Sequence, residues 1–237
     1  MRIGVHAGHN PRGKVSCGAI GLICESTEAR KVKDEVIRLL KVAGHTTFDC
    51  TVEDGTSTSD IVNKQVKKSN AQPLDLTVAI HFNAGAGDSK GNGTTTGVEV
   101  LMTSIDGIKK TTGERICANV AKLGYKNRGN KKRTNLGFLN NTTAKAILVE
   151  CCFVDDKDDV DKYNYKTMAK AIAEGIHGST ITEKTTTTNT NTNTNTNTQQ
   201  KLYRVLVGSY SVDANADAMV KKLKDKGFEA SKVIYYK

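Results

Sequence analysis

A low-complexity run near the carboxyl end divides this chain into two parts. Residues 180–200 contain four consecutive threonines, Thr185–Thr188, followed by an alternating Asn-Thr repeat. Such a segment has almost no apolar surface to bury and cannot offset the entropy lost on ordering, so it predicts a flexible linker. As a coil of about 20 residues it would span roughly 25 Å on average. The sequence therefore predicts a larger domain over residues 1–179 and a short tail over residues 201–237.

The larger domain alternates short β-branched runs with longer helical patterns. The predicted strands are Arg2–His6, Thr46–Thr51, Leu74–His81, Gly97–Met102, Leu136–Leu139 and Ala146–Phe153, and the predicted helices are Ser26–Ala43, Ser59–Ser69, Ile108–Leu123 and Asp158–His177. Several of the strands are apolar almost throughout, as in a sheet that is buried on both faces. We therefore predict an α/β fold with a mainly parallel, twisted sheet and helices on both of its faces.

Net charge and hydropathy limit the binding partners and the cellular location that we expect for this chain. The chain carries 35 Lys and Arg against 25 Asp and Glu, which favours a polyanionic partner, although no nucleic-acid reading motif is present. No apolar run approaches the roughly 18 residues of a membrane span, and Met1–His6 enters a strand without the apolar stretch of a secretory signal. We expect a soluble protein made in the cytoplasm, without nucleic-acid binding or a membrane span. Its six cysteines lack the spacing of a structural zinc site and are expected to be reduced and mostly buried.

Four side chains lie at positions where α/β proteins commonly carry their functional residues. In open α/β sheets, functional residues gather at the carboxyl ends of strands. His9 follows the first predicted strand, and His81 and Glu150 each close an apolar run. Glu25 stands directly before the first predicted helix. Glu150 is the hardest to explain structurally, because an ionisable group that ends a buried strand is costly without a partner.

These four residues suit the hydrolysis of an amide. A catalytic zinc takes three protein ligands of the imidazole and carboxylate type and keeps one position open. Cleavage of an amide at neutral pH requires a polarised carbonyl, an activated water and a proton for the leaving nitrogen. His9, Glu25 and His81 as Zn²⁺ ligands, with Glu150 as the group that carries the proton, would meet all three requirements.

Structural alternatives exist for several of these residues. A histidine at a strand end is commonly a capped or surface imidazole, and Glu25 could simply favour the helix start through the helix dipole. His6 could compete with His9 for the metal, or pack beside the site. His45 and His177 lie at helix ends and are predicted to be surface groups.

The same residues lie in a series of motifs that resembles the zinc-dependent N-acetylmuramoyl-L-alanine amidases, the amidase-3 group of bacterial autolysins and phage endolysins. The matching elements are Gly8-His9, Glu25, Leu39-Leu40 with Gly44-His45, Ala79–Ala84, Gly97–Val100, Asn127–Gly129, and Leu148–Glu150 with Phe153. Their order and spacing agree over about residues 1–178. The resemblance implies that His9, Glu25 and His81 bind zinc and that Glu150 is the catalytic glutamate.

The resemblance also implies a reaction. The chain would be a peptidoglycan hydrolase that cleaves the amide bond between N-acetylmuramic acid and L-alanine. A zinc-bound water would attack the carbonyl, with Glu150 as general base and then as general acid. Asn83 and Arg128 could position the substrate, and a purely structural role for both is equally open.

The tail resembles half of a SPOR repeat, a βαββαβ module that binds glycan strands stripped of peptides. Its predicted elements are a strand over Tyr203–Tyr210, a helix over Ala214–Lys226 and a strand over Ala230–Tyr236. This small βαβ unit would present Arg204, Leu206 and Tyr210 on one face for glycan binding. A unit of this length falls below the roughly 40 residues at which isolated domains are hard to sustain. We therefore predict that two chains can pair through their tails to form a homodimer.

Three functions are open at this point. The favoured one is a peptidoglycan amidase, of phage or cellular origin, that reaches the bacterial cell wall after release and acts in cell lysis. The second is a zinc peptidase of a related fold. The third is a non-catalytic wall-binding protein, against which the intact set of His9, Glu25, His81 and Glu150 argues.

Overall fold

The computed structural model describes residues 1–183 and 213–225, which belong to two units, Met1–Thr185 and Thr186–Lys237. The elements of the first unit are β1 (Arg2–Ala7), α1 (Glu25–Val42), β2 (Thr46–Asp49), α2 (Thr58–Asn70), β3 (Leu76–Asn83), β4 (Val98–Met102), α3 (Gly107–Ala121), β5 (Asn127–Lys132), α4 (Gly137–Asn141), β6 (Lys145–Phe153), α5 (Lys157–Lys162) and α6 (Tyr165–His177). Among the described helices, none combines the length and the apolar character that crossing a membrane requires.

The second unit is described only in its helix. This helix, α7 (Asp213–Lys224), agrees with the helix predicted in the tail to within two residues at each end. Both predicted tail strands, the predicted glycan contacts Arg204, Leu206 and Tyr210, and all but the first four residues of the predicted linker lie outside the described residues. The linker, the domain boundaries and the pairing of tails therefore stay predictions.

All six strands of the first unit form one sheet in the order β2-β1-β3-β6-β4-β5. Every neighbouring pair is parallel except β4 with β6. The prediction of a mainly parallel sheet is therefore confirmed. Because β4 and β5 run against the other four strands, their amino ends share a rim with the carboxyl ends of β1, β3 and β6.

Helices cover both faces of this sheet, as predicted. The larger core lies between one face and the helices α1, α3 and α6, and it includes Val5, Val36 and Ile172. A smaller core on the other face joins Leu148 of β6 to Phe138 of α4 and to side chains of α2. All six cysteines are free of disulfide bonds and five of them are buried, which confirms the expectation of mostly buried thiols.

Helix α1 shows how local sequence positions the site. Its apolar residues Val32, Val36 and Leu40 recur at helical spacing, and all three are buried against the sheet. Glu25 and Glu28 lie in its first turn, where the helix dipole favours negative charge. Because α1 begins at Glu25, the carboxylate of this residue is brought to the rim where the strands β1 and β3 end.

Two element predictions are wrong. Residues 136–139 were expected to form a strand, but Gly137–Asn141 is a helix that carries Phe138 into the smaller core. A short apolar run cannot be assigned to strand or helix by periodicity alone, which explains this error. The single helix expected over Asp158–His177 is two helices, because the Asn164 side chain accepts hydrogen bonds from backbone N–H groups of the first turn of α6 and so starts a new helix.

One strand was not predicted. Strand β5 (Asn127–Lys132) contains no apolar residue, so it carries no hydrophobic period. It is one of the two edge strands of the sheet, and it is held there by backbone pairing with β4. Its charged residues are typical of an edge that must not pair with another chain.

Candidate metal centre

The three predicted ligands, His9, Glu25 and His81, meet at the rim of the sheet and are called the metal centre below. Nε2 of His9 lies 3.3 Å and Nδ1 of His81 lies 3.0 Å from the same oxygen, Oε1 of Glu25. One ligand atom from each residue lies within 4.8 Å of the other two. Zinc ligands bound tetrahedrally at about 2.0–2.2 Å lie roughly 3.3 Å from one another. The spacing of the three atoms therefore fits one shared ion.

His9 is held in an unusual backbone conformation. Its φ is +62°, in the left-handed region that residues with a Cβ rarely adopt. Arg30 of α1 holds this turn, because its Nη2 donates to the His9 carbonyl at 3.0 Å and its Nη1 donates to the Ser26 carbonyl at 2.9 Å. Strained backbone that the surroundings enforce is typical of functional sites.

Two glycines make room for the ligands. A Cβ on Gly8 would lie 2.2 Å from Cε1 of His81, and a Cβ on Gly18 would lie 2.6 Å from Oε2 of Glu25 and 2.8 Å from Cδ2 of His9. Gly18 also has a φ of +80°. Only glycine therefore fits at either position without displacing a ligand side chain.

Glu25 is ionised although it is buried. Its Oε2 accepts from the Ala19 N–H at 2.9 Å, and its Oε1 accepts from the Phe82 N–H at 3.2 Å and faces both imidazoles. Burial by itself would raise the pKa of Glu25, but hydrogen bonds with His81 and His9 outweigh burial and hold this pKa well below its ordinary value. Two imidazoles and one carboxylate are the donor set that a hydrolytic zinc prefers.

The metal centre opens to solvent on one side. The side chain of Glu25 is only 5% exposed, whereas those of His9 and His81 are 26% and 17% exposed. A closed structural zinc site has four protein ligands, while a catalytic site keeps one position for water or substrate. Three ligands beside an opening therefore resemble the catalytic type.

Glu150 stands next to the metal centre. It is the register partner of His81 on the neighbouring strand. Its Oε2 is shielded from solvent and has no hydrogen-bond partner among the described residues. Burial, with the negative charges of Glu25 and Glu99, raises the pKa of Glu150 to about 8, against the opposing charge of Arg133. A carboxyl group that titrates near neutrality suits both the acceptance and the return of a proton.

Glu99 lies in the motif Gly97–Val100, but no role was predicted for it from the sequence. It is 7% exposed and is the register partner of Glu150 across β4 and β6. Asn83 Nδ2 donates to its Oε1 at 3.1 Å, and Arg128 Nε donates to its Oε2 at 2.8 Å. The structure thus brings the two predicted substrate contacts, Asn83 and Arg128, together through Glu99. Because Glu99 lies near the amino end of β4, the rule that selects carboxyl ends of strands could not find it.

The remaining histidines lie outside the metal centre. His6 is fully buried against Phe138, with ring centroids 4.2 Å apart. Burial, with the charge of His81, lowers the pKa of His6 to about 3, so it packs as a neutral ring and does not join the ligand cluster. His45 and His177 are half-buried, with Nε2 of His45 2.9 Å from Nδ1 of His177. Both imidazoles are thus partly exposed and contact each other at the surface, away from the metal centre.

A second group of ligand-type atoms is formed by Asp88, Asp156 and Asp158. Asp156 is fully buried; its Oδ1 accepts from the Asp159 N–H, and its Oδ2 accepts from both the N–H and the hydroxyl of Thr96. Oδ2 of Asp158 accepts from two backbone N–H groups of the loop between β3 and β4. The carboxylates of Asp156 and Asp158 therefore bind this loop by hydrogen bonds.

The fold and the site together define an α/β protein with a centre of two histidines and one glutamate at the rim of its sheet. Residues 3–179 match the family described as N-acetylmuramoyl-L-alanine amidase, and residues 178–235 match the SPOR domain. The first match covers well over half of the chain. This protein therefore belongs to the N-acetylmuramoyl-L-alanine amidase family, as the sequence motifs indicated.

Curated relatives include one endolysin. An uncharacterised protein of Clostridium perfringens (strain 13 / Type A) is 34% identical over 187 residues, which are 77% of this chain and 53% of that protein. The endolysin of Bacillus phage SPP1 is 31% identical over 178 residues, which are 75% of this chain and 63% of that protein. The chain thus spans about half the length of the first relative and less than two thirds of the second.

Solved structures share the fold. The catalytic domain of the CD27L endolysin targeting Clostridia Difficile is similar with a TM-score of 0.67 and 26% identity, over 77% of this chain and 99% of that one. The catalytic domain of CwlV, an N-acetylmuramoyl-L-alanine amidase from Bacillus (Paenibacillus) polymyxa var. colistinus, gives a TM-score of 0.61 at 21% identity, over 75% of this chain and 97% of that one. The second likeness concerns the fold alone.

Proposed function

We propose that this protein is a zinc-dependent peptidoglycan amidase that cleaves the amide bond between N-acetylmuramic acid and L-alanine. The observation that carries the proposal is the meeting of His9, Glu25 and His81 within 4.8 Å, directly beside Glu150, whose Oε2 has no hydrogen-bond partner among the described residues. Membership of the amidase family supplies the substrate class. The arrangement of ligands and carboxyl group supports hydrolysis as the reaction.

Zinc fits the residues that are present. His9, Glu25 and His81 would hold the ion, and the partly exposed side of the centre would admit water or substrate. When bound, zinc would polarise the scissile carbonyl and lower the pKa of a water molecule. Gly8 and Gly18 leave the imidazoles and the Glu25 carboxylate free to adopt this arrangement.

Glu150 would move the proton. Its carboxylate takes a proton from the attacking water as the new carbon–oxygen bond forms, and it returns this proton to the alanine nitrogen as the carbon–nitrogen bond breaks. Its Oε2 has no competing hydrogen bond among the described residues, so it is available for this transfer. Asn83 and Arg128, both fixed by Glu99, would contact the substrate on the side of the centre toward β4 and β5.

The reaction type can be tested on purified cell wall. After digestion, mass analysis should find new free amino groups on alanine and no new reducing ends on the glycan. A chelator should stop the release, and added zinc should restore it. Release from free peptides that lack muramic acid would favour the peptidase instead. Wall binding that survives the chelator, without any release of amino groups, would favour the non-catalytic alternative.

We assign glycan binding to the tail on the strength of its match to the SPOR domain. Truncation after Glu183 would keep Ile181 in the core, so turnover of a soluble muramoyl peptide should be unchanged while co-sedimentation with wall fragments weakens. Unchanged co-sedimentation would contradict the assignment. Pairing of two chains through the tail predicts a dimer for the full chain and a monomer for the truncated chain in sedimentation velocity.

We also propose that the enzyme acts in lysis, after release from the cytoplasm in which it is made. Relatedness to an endolysin supports this role. Expression inside a bacterium should then leave the culture intact until the membrane is permeabilised, whereas protein added to permeabilised cells should lyse them at once. Lysis during expression without permeabilisation would contradict the proposed route.

A further inference from the structure

Arg128 lies at a bulge-like irregularity in the pairing of β5 with β4. Strand β4 pairs with β5 as Val98 with Asn127 and then as Glu99 with Gly129, so Arg128 is an extra residue without a partner. Gly129 follows it with a φ of +72°. Extra residues of this kind re-aim a side chain and are frequent next to active sites. Here the re-aimed side chain reaches Glu99, on the same rim as Glu150.

The guanidinium of Arg128 contacts Glu99 and Phe153, and its remaining side faces solvent. Its Nε donates to Glu99, and its Cζ lies 5.1 Å from the ring centroid of Phe153. The side chain is 30% exposed, and its two terminal nitrogens make no hydrogen bond to any described residue. In Arg30, by contrast, all three nitrogens donate to protein groups. Arg128 therefore presents fixed N–H groups to the solvent, which is the geometry that binds a carboxylate in a bidentate manner.

Glu99 provides the anchor for this guanidinium. Both of its oxygens are engaged, Oε1 by Asn83 and Oε2 by Arg128, and the residue is buried. A buried carboxylate is costly unless it is paired, so its charge stabilises Arg128 in one position. Asn83 is fixed further because its Oδ1 accepts from the Ala84 N–H at 2.9 Å. Glu99 is thus a positioning residue that acts through Arg128 and Asn83.

The spacing of the strands sets the distance from the metal centre. His81, Glu150 and Glu99 are register partners in a row across β3, β6 and β4. Neighbouring strands lie about 4.8 Å apart, so the Glu99 backbone lies roughly 10 Å from that of His81. An extended peptide advances about 3.3 Å per residue, so two or three residues bridge this distance.

We infer that Arg128, held by Glu99, binds a carboxylate on the peptide stem of the substrate, at the second or third residue from the cleaved amide. This inference rests on the proposed amidase function and adds a selectivity to it. Peptides with an acidic residue at that position would be preferred over peptides in which the same group is an amide. The preference would arise in binding, because the contact is remote from the reacting bond.

Synthetic substrates can test this selectivity directly. Four N-acetylmuramoyl tripeptide amides, Ala-Glu-Ala, Ala-Gln-Ala, Ala-Ala-Glu and Ala-Ala-Gln, differ only in whether a carboxylate is present and where it lies. The zinc-loaded full chain should cleave the Glu peptide of one pair with a kcat/KM about 10- to 100-fold above its Gln counterpart, mostly through KM, as expected for a hydrogen-bonded charge pair. Arg128→Gln should reduce this ratio to about one, and Lys145→Gln, which removes the same charge from the exposed start of β6 at the opposite rim, should leave it unchanged.

The role of Glu99 can be separated from a general structural role. Glu99→Gln should lower the ratio, whereas the double variant Glu99→Gln/Arg128→Gln should have the same ratio as Arg128→Gln alone, because Glu99 acts through Arg128. Equal cleavage of Glu and Gln peptides in both pairs by the unmodified chain, or a ratio that survives Arg128→Gln, would overturn the inference while leaving the amidase function in place. Failure to cleave any of the four peptides would overturn the proposed function and this inference together.

Discussion

The carboxylates beside the metal centre differ from those of residues 155–159 in their hydrogen-bond partners. Asp155, Asp156, Asp158 and Asp159 all accept hydrogen bonds from backbone N–H groups of the loop between β3 and β4. Beside the metal centre, by contrast, Glu150 has an oxygen without a partner among the described residues. The first set of carboxylates holds a loop, and the second leaves an oxygen available for chemistry.

The difference is visible between Asp155 and Glu150, although burial also raises the pKa of Asp159 in the first set. Burial would raise the pKa of Asp155, but hydrogen bonds from the backbone of Gly87, Gly85 and Ala86 outweigh it and lower this pKa. At Glu150 burial and neighbouring negative charge act together and raise the pKa to about 8. A cluster of ligand-type residues is therefore interpreted correctly only once the existing partners of each oxygen are known.

Removal of a ligand should have the largest effect. His81→Ala should lose zinc and amide hydrolysis together, because two ligands cannot define the open tetrahedral site. The loss of zinc affinity should exceed the roughly 10- to 100-fold that follows loss of a ligand's hydrogen-bond partner. Metal content after dialysis and release of alanine amino groups measure the two effects. The control His177→Ala removes a half-buried histidine outside the metal centre and should keep its zinc. If His177→Ala lost as much zinc as His81→Ala, the loss could not be assigned to the metal centre.

Removal of the carboxyl of Glu150 should separate chemistry from metal binding. Glu150→Gln keeps the size of the side chain but cannot exchange a proton, so kcat should fall by about 10² to 10⁴. Zinc content should stay at that of the unmodified protein. Retained hydrolysis would show that another group moves the proton, and loss of zinc would make Glu150 a part of the metal site.

The pH dependence of stability should report the raised pKa of Glu150 in the metal-free protein. The folded pKa of Glu150 is about 8, above its ordinary 4.5, so the folded state binds the extra proton. This contribution is fully present below about pH 4.5 and is lost as the pH rises toward 8, at a cost of at most about 5 kcal/mol. Urea unfolding of the unmodified protein should therefore lose stability over this range relative to Glu150→Gln, and parallel curves would contradict the raised pKa.

The smallest effect is expected in the loop-holding segment. Asp156→Asn should lower the free energy of unfolding by about 1 to 3 kcal/mol, because the buried side chain accepts hydrogen bonds that an amide cannot fully replace. The control Asp161→Asn changes an exposed aspartate in α5, the helix that Asp156 caps, and should change stability little. One zinc per chain is expected in both variants. If the unmodified protein bound a second divalent ion and Asp156→Asn lost it, the aspartates of residues 155–159 would bind a metal as well as the loop, which would contradict the proposed difference from the metal centre.

The sequence predicted the parts of the site that follow apolar runs. His81 and Glu150 each follow a run of buried residues within their strands, and His9 follows the first strand, so the ends of the apolar runs selected them. The same rule fails for Glu99, because β4 runs antiparallel to β6 and presents its amino end at this rim. Arg128 belongs to a strand without apolar residues, whose existence depends on pairing with β4.

Other features depend on contacts between distant parts of the chain. Arg30 supports the backbone of His9 from a helix 21 residues away, and no local pattern marks it for this role. The short helix at Phe138 was mistaken for a strand because a run of a few apolar residues has no distinct period. Tertiary partners, rather than local propensity, decide these cases.

The position of β6 has a consequence for how the protein is made. This strand is the last of the six in the sequence, yet it lies in the interior of the sheet between β3 and β4 and carries Glu150. While the ribosome is still short of residue 145, the edges of β3 and β4 that will face β6 have no partner, and the half-built sheet lacks Glu150. A nascent or prematurely terminated chain is thus expected to be inert as a hydrolase.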